Sequence, residues 1–91
     1  MDSGVKFRVT GRVQGVAFRA FVQGTGTQMG LAGWVKNNSD GSVHGYAEGD
    51  QGMLIAFMKQ VRIGNRWSDV HSLDQESVPF SGEFDSFEIR D

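Results

Sequence analysis

Cysteine is absent from this 91-residue chain, and proline occurs only once. Without thiols the chain can form neither a disulfide nor a thiolate metal site, so its fold must rest on packing alone, as is usual for intracellular domains. No apolar run reaches the 18 residues of a transmembrane helix, and the first residues lack the basic and apolar regions of a signal peptide. These absences predict a cytoplasmic protein with no membrane partner.

An excess of positive charge is also missing. Nine Lys and Arg residues stand against eleven Asp and Glu residues, which gives a formal net charge of −2. Nucleic-acid binding through phosphate contacts normally leaves a basic footprint. We therefore expect no nucleic-acid partner, and any anion-binding site must be local.

The residues that are present suffice for one domain. Single hydrophobic cores usually serve chains of about 50 to 200 residues. Hydrophobic residues make up 38% of the chain and include seven Phe. We expect residues 1–91 to form one domain, with two layers of secondary structure around one core, and to be a monomer.

Hydrophobic periodicity predicts the first elements. Alternating apolar and polar residues predict a strand over residues 4–10. A short loop bracketed by glycines follows, and then a helix that ends at Gly30, a left-handed cap. The residues at helical spacing are Phe18, Phe21, Val22, Thr25 and Met29. Gly24 and Gly26 lie inside this helix and each costs about 1 kcal/mol relative to Ala, so we expect local fraying there.

A hairpin and a second helix come next. Residues 31–37 and 42–48 predict two strands, joined at 38–41 by residue types that tolerate left-handed backbone angles. Asp50 is a suitable N-cap for a helix that Gly64 closes. The predicted core side of this helix comprises Met53, Leu54, Phe57, Met58 and Val61.

The last third of the chain carries a weaker signal. Val70 and Leu73 are out of alternating register and suggest a bulge, whereas Phe87 and Ile89 alternate with polar residues and predict a final strand. The order is therefore strand, helix, strand, strand, helix, strand. This order is typical of the α+β ferredoxin-like split βαβ sandwich, which we expect to have an antiparallel sheet with both helices on one face.

The first candidate site is the loop before the first helix, where the segment from Gly11 to Arg19 reads GRVQGVAFR. Unpaired N–H groups and the positive dipole end at a helix N-terminus let such a loop wrap a phosphate. Arg19 would add a planar charged fork. The alternative, turn glycines beside a surface arginine, stays open. Neither GxxxxGK[ST] nor a doubly wound GxGxxG context occurs, so a nucleotide is not indicated.

The second candidate is Asn37, at the end of the second predicted strand. A carboxamide donates and accepts hydrogen bonds without charge, so it can orient a water without repelling an anionic substrate. Alternatively, Asn37 simply begins the turn. His44 and His71 lie outside both candidate segments, and we interpret them as ordinary surface or partly buried residues.

Together, the two segments resemble the signatures of the acylphosphatase family. The first is similar to the family's phosphate loop, G-x-V-Q-G-V-x-F-R. The second, from Gly33 to Val43, reads GWVKNNSDGSV and is similar to a signature of glycine, an aromatic residue, a basic residue, Asn, three residues, Gly, any residue and Val. The resemblance is strong from residue 5 to about residue 49 and weaker from Asn65 to Gly82.

The resemblance implies hydrolysis of the carboxyl–phosphate bond of small acyl phosphates to a carboxylate and inorganic phosphate, without a metal or other cofactor. It implies that Arg19 binds the phosphate and that Asn37 positions the attacking water. The backbone of the loop would complete the phosphate cradle with Gln14, Gly15, Val16, Ala17 and Phe18. Ala17 stands where many members have glycine, so its side chain is expected to alter the loop angles or crowd the substrate.

Two other functions are compatible with the same fold, because fold does not determine function. An RNA-binding module would carry the strand motif K/R-G-F/Y-G/A-F-V-x-F/Y, which is absent. The other alternative is an acylphosphatase-like domain that binds phosphorylated or carbamoylated ligands within a larger assembly. Only the length of the chain argues against it.

Overall fold

Two helices pack on a five-stranded sheet in the computed structural model, which describes residues 1–91. The elements are β1 (Asp2–Arg12), α1 (Phe18–Gln28), β2 (Ala32–Asn37), β3 (Val43–Asp50), α2 (Gln51–Ile63), β4 (Asp69–Val78) and β5 (Phe87–Arg90). A cluster of 16 buried hydrophobic residues forms the core. Neither helix combines the length and the apolar character needed to cross a membrane.

The strand order is β4-β1-β3-β2-β5, and four of the five strands pair antiparallel. β5 instead runs parallel to β2, with Ile89 opposite Val35. The split βαβ order is confirmed, but the expectation of a purely antiparallel sheet is wrong. The reason is an additional strand: β4 and β5 lie at opposite edges of the sheet, and residues 79–86 carry the chain from one to the other.

β4 contains the bulge that the sequence suggested. Consecutive residues of β1 pair with Ser72 and Val70, so β4 has one extra residue, His71. The extra residue lets Val70 and Leu73 both pack against the core, although three positions separate them. The predicted bulge is confirmed. It interrupts a ten-residue strand, β4, that the hydrophobic pattern does not predict.

α1 ends in the predicted glycine cap. The N–H of Leu31 donates to the carbonyl of Gly26 at 2.9 Å and the N–H of Gly30 donates to Thr27 at 3.0 Å, which is the Schellman pattern, with Gly30 at φ 74°. The helix is continuous through both internal glycines rather than frayed. A Cβ on Gly26 would lie 2.5 Å from the ring of Phe87, so this glycine allows β5 to approach the helix closely.

α2 begins and packs largely as predicted. Asp50 caps the helix by accepting a hydrogen bond of 3.1 Å from the N–H of Met53. The predicted core side is confirmed for Leu54, Phe57, Met58 and Val61, which are all buried. The prediction for Met53 is wrong: it is 42% exposed, because its position one residue before Leu54 rotates it about 100° away around the helix.

The buried carboxylate of Glu48, on the face of the sheet opposite the helices, binds the segment that leads into β5. Glu48 is 2% exposed and accepts hydrogen bonds from the Tyr46 hydroxyl, the Ser81 N–H (3.0 Å) and hydroxyl (2.7 Å), and the Gly82 N–H (3.0 Å). Burial raises the pKa of Glu48, but these hydrogen bonds outweigh burial and bring the pKa below its ordinary value. Burial and the bond to Glu48 raise the pKa of Tyr46.

Candidate active site

Both candidate segments meet at one pocket of about 210 Å³. The pocket is lined by Val13, Gly15, Ala17, Phe18, Arg19, Ala20, Asn37 and Ile89. Arg19 comes from the first turn of α1, Asn37 from the last position of β2, and Ile89 from β5. The structure therefore brings together the two residues to which the sequence analysis gave a chemical role.

The loop before α1 presents unpaired backbone donors. The N–H groups of Gly15, Val16 and Ala17 make no hydrogen bond within the protein, and the first N–H groups of α1 lack intrahelical partners by helix geometry. Ala17, the residue before the helix, has φ 59° and ψ 25°, and no other non-glycine residue has a positive φ. The chain thus keeps a glycine-like loop conformation despite the alanine side chain.

The guanidinium of Arg19 is held by the end of β5. Its Nη1 donates a hydrogen bond of 3.0 Å to the carbonyl of Arg90 and lies 3.6 Å from Oδ1 of Asp91. Its other nitrogens make no hydrogen bond within the protein, so they remain available to an anion. No carboxylate is among the pocket-lining residues, and Arg19 is their one cationic side chain.

Asn37 lines the pocket, and one of its side-chain polar atoms is buried. Its Oδ1 is buried and has no hydrogen-bond partner, an arrangement that costs about 1 to 3 kcal/mol unless a water or ligand satisfies it. The turn itself is made by Asn38, which bonds through its backbone to Ser42 at 2.9 Å and to Gly41 at 3.1 Å. The side chain of Asn37 is therefore not used to form the turn.

The side chain of Gln14 joins the loop to the turn between β2 and β3. Its side-chain amide donates to the carbonyls of Asn38 at 2.7 Å and Ser42 at 3.0 Å, which ties the loop to the turn after Asn37. Neither Gln14 nor Val16 lines the pocket. Their contribution to a phosphate cradle through the backbone stays a prediction.

Two residues outside both candidate segments also contribute to the site. Ile89, which is 41% exposed, forms an apolar rim of the pocket, and Asn65 donates a hydrogen bond of 2.8 Å from Nδ2 to the carbonyl of Val16. Neither has a local sequence signal, because each reaches the site only through tertiary packing. His44 and His71 do not line the pocket, and no group of three or more His, Asp and Glu side chains could hold a metal ion.

Comparisons with known proteins agree with this geometry. The acylphosphatase family profile matches residues 5–89, a range that includes both candidate segments. An acylphosphatase of Bacillus pumilus is 42% identical over 82 residues, which cover 90% of this chain and 91% of the relative.

Solved structures extend the similarity to three dimensions. The crystal structure of acylphosphatase from Bacillus subtilis superposes with a TM-score of 0.93 at 38% identity, covering 99% of each chain. Full-length HypF, solved in a phosphate- and nucleotide-bound form, matches with a TM-score of 0.90 at 27% identity over 100% of this chain but 12% of its own. The profile match, the identity over most of the chain and the common fold together show that this chain belongs to the acylphosphatase family.

Proposed function

We propose that this protein hydrolyses the carboxyl–phosphate bond of small acyl phosphates, with Arg19 holding the phosphate and Asn37 placing the attacking water. The observation that carries the proposal is the convergence of these two side chains, 18 residues apart in the chain, on one pocket beside unpaired loop N–H groups. The reaction takes up one water and yields a carboxylate and inorganic phosphate.

Phosphate binding would begin with the loop. The unpaired N–H groups and the positive end of α1 attract the phosphoryl oxygens, and the planar guanidinium of Arg19 contacts two of them. The bond of Arg19 to the Arg90 carbonyl restricts the rotation of the guanidinium, so less conformational entropy is lost on binding. These donors also stabilise the charge that spreads over the equatorial oxygens during transfer.

The attacking water would be held by Asn37. Its uncharged carboxamide hydrogen-bonds to the water and aligns the lone pair of the water with phosphorus. The oxygen–phosphorus bond to water forms as the bond to the carboxylate oxygen breaks, and a phosphoryl oxygen takes the proton. A carboxylate is a good leaving group, so the step needs no protein base, and neither His44 nor His71 lines the pocket.

We further propose that the protein acts as a cytoplasmic monomer without a cofactor or a nucleic-acid partner. The cysteine-free composition and the slightly negative net charge support this setting. Size-exclusion chromatography with light scattering at micromolar concentration tests the monomer directly. A stable dimer would contradict it.

A domain within a larger assembly is the second candidate. The superposition on a small part of full-length HypF favours it, because the same fold occurs there inside a much longer protein. The Bacillus subtilis acylphosphatase consists almost entirely of this fold, because the match covers 99% of its chain. The two candidates differ in whether the isolated chain turns over substrate.

The test is hydrolysis of benzoyl phosphate by the purified protein, followed as phosphate release with and without a chelator. We expect turnover that the chelator leaves unchanged. Loss of turnover in the chelator would contradict the metal-free part of the proposal. Absence of turnover under both conditions, in a protein that still binds phosphate, would favour the binding domain.

A further inference from the structure

We infer that Asn65 is a positioning residue of the phosphate loop, which sets the peptide between Val16 and Ala17 so that the N–H of Ala17 faces the bound phosphate. The inference rests on the proposed function, because it assumes that the loop binds the phosphate of the substrate. It concerns a residue in the turn between α2 and β4, outside both segments that carry the family resemblance.

Hydrogen bonds to Ser68 hold the backbone of Asn65 in place. The N–H of Asn65 donates to the Ser68 hydroxyl at 3.0 Å, and its carbonyl accepts from that hydroxyl at 3.1 Å and from the Ser68 N–H at 3.2 Å. Gly64, at φ 78°, begins this turn, and a side chain there would collide with Ser68. From this base, Nδ2 of Asn65 reaches the Val16 carbonyl at 2.8 Å, across 49 positions of sequence.

That hydrogen bond determines the direction of an N–H group. The chain contains no cis peptide, and in a trans peptide the carbonyl and the following N–H point in opposite directions. With the Val16 carbonyl directed at Asn65, the N–H of Ala17 points away from Asn65. Ala17 lines the pocket and Asn65 does not, so this N–H, which has no partner in the protein, is directed to the pocket side.

The left-handed backbone of Ala17 makes the hydrogen bond from Asn65 to Val16 especially important. At φ 59° its backbone is in the left-handed region, which costs a residue with a Cβ about 1 to 2 kcal/mol. Rotation of the peptide between Val16 and Ala17 would return φ to negative values and relieve this cost. The same rotation would turn the N–H away from the phosphate. The bond from Asn65 to the Val16 carbonyl opposes this rotation.

The proposal is tested by nuclear magnetic resonance of ¹⁵N-labelled protein titrated with inorganic phosphate. In the wild-type protein we expect the Ala17 amide resonance to shift on binding. In Asn65→Ala we expect phosphate affinity to fall about tenfold, as for loss of one charge-assisted hydrogen bond. The Ala17 shift should be lost, while the side-chain resonance of Arg19 still responds.

Ser68→Ala is the matched control, because it weakens the same turn and keeps the Asn65 amide. We expect its phosphate affinity to stay within about twofold of the wild type and its Ala17 resonance to shift normally. Thermal unfolding of both variants shows whether the loss of stability is similar. If Asn65→Ala does not fold, Asn65→Leu removes the donor, keeps a similarly branched side chain and adds no charge, so it carries the same expectation.

Two results would overturn the inference and leave the proposed function intact. One is a normal Ala17 shift with wild-type affinity in the Asn65 variant. The other is an equal loss of affinity in Ser68→Ala, which would reduce Asn65 to a purely structural role. A wild-type protein whose loop amides do not respond to phosphate would contradict the proposed function itself.

Discussion

Nη1 of Arg19 lies 3.0 Å from the backbone oxygen of Arg90, so the first helix and the last strand are joined at the mouth of the pocket. This bond uses one N–H group of the guanidinium and leaves the remainder for an anion. Because the acceptor is a backbone carbonyl, the bond persists when the side chain of Arg90 is replaced. The orientation of Arg19 therefore depends on the position of β5 and not on the side chain of Arg90.

Arg19 and Asn37 should fail in different ways when truncated. Arg19→Ala should lower kcat/KM by roughly 10³-fold and weaken phosphate inhibition at least about tenfold, because phosphate contacts stabilise both the ground state and the transition state. Asn37→Ala should lower kcat by roughly 10²-fold and leave phosphate inhibition within about threefold. Initial rates with benzoyl phosphate and phosphate as a competitive inhibitor measure both.

Arg19→Lys is the control for charge alone, and it should recover part of the phosphate affinity without the bidentate geometry. Full turnover in Asn37→Ala would show that the water is positioned by another group.

The two glycines within α1 should respond oppositely to alanine. Gly24→Ala should raise the free energy of unfolding by about 1 kcal/mol, because the helix propensity improves and no atom lies within 4 Å of the new Cβ. Gly26→Ala should lower it by roughly 1 to 2 kcal/mol, because the Cβ would press on the ring of Phe87. Urea unfolding compares the two variants, and a gain of stability in both would mean that the ring moves aside without cost.

Replacing Ala17 with glycine should raise the free energy of unfolding. Ala17→Gly relieves the left-handed strain, while the greater freedom of the unfolded chain offsets part of it, so stability should rise by up to about 1 kcal/mol. Gly15→Ala is the converse variant, because φ is 73° there and nothing lies within 4 Å of the added Cβ. Its free energy of unfolding should be about 1 kcal/mol lower in the same denaturant experiment. A stability loss in Ala17→Gly would argue against strain at this position.

Glu48 should make stability depend on acid pH. Its pKa is lowered by folding, so its ionised form stabilises the protein above the unfolded pKa of about 4.3, and this contribution is lost as pH falls through the lower folded value. Glu48→Gln should cost about 1 to 3 kcal/mol at pH 7 and flatten the decline between about pH 5 and pH 3. Denaturant unfolding at several pH values tests this.

Glu76→Gln is the matched control, because the side chain of Glu76 is exposed on β4 and makes no hydrogen bond or ion pair. Its unfolding curve should follow that of the wild type across the same pH range. An equal loss of stability in the two variants would show that the buried carboxylate has no special role.

Local patterns were sufficient for the features that depend on residues close in sequence. Periodicity located both helices, and the caps at Gly30 and Asp50 followed from turn and cap chemistry. The parallel pairing of β5, the approach of Phe87 to Gly26 and the bond from Asn65 to the loop join residues far apart in the chain. Such contacts leave no periodic trace, so only the three-dimensional structure could reveal them.

The candidate site divides in the same way. The anion loop follows from helix-terminus physics, whereas the pairing of Arg19 with Asn37 came from family resemblance. Their presence in one pocket is a finding of the structure. The place of Ile89 on the pocket rim has no signal in the sequence, because it requires β5 to lie beside β2.

β5 has only four residues, lies at the edge of the sheet and pairs with β2 alone. Short edge elements open at a lower free energy than the core, so β5 is expected to detach in partial unfolding events while the remaining strands stay paired. Each detachment removes the anchor of Arg19 and the Ile89 rim together. Dilute urea should therefore abolish turnover before circular dichroism reports loss of the sheet, and amide exchange should be fastest along this strand. The lifetime of the active form is then governed by this one edge strand.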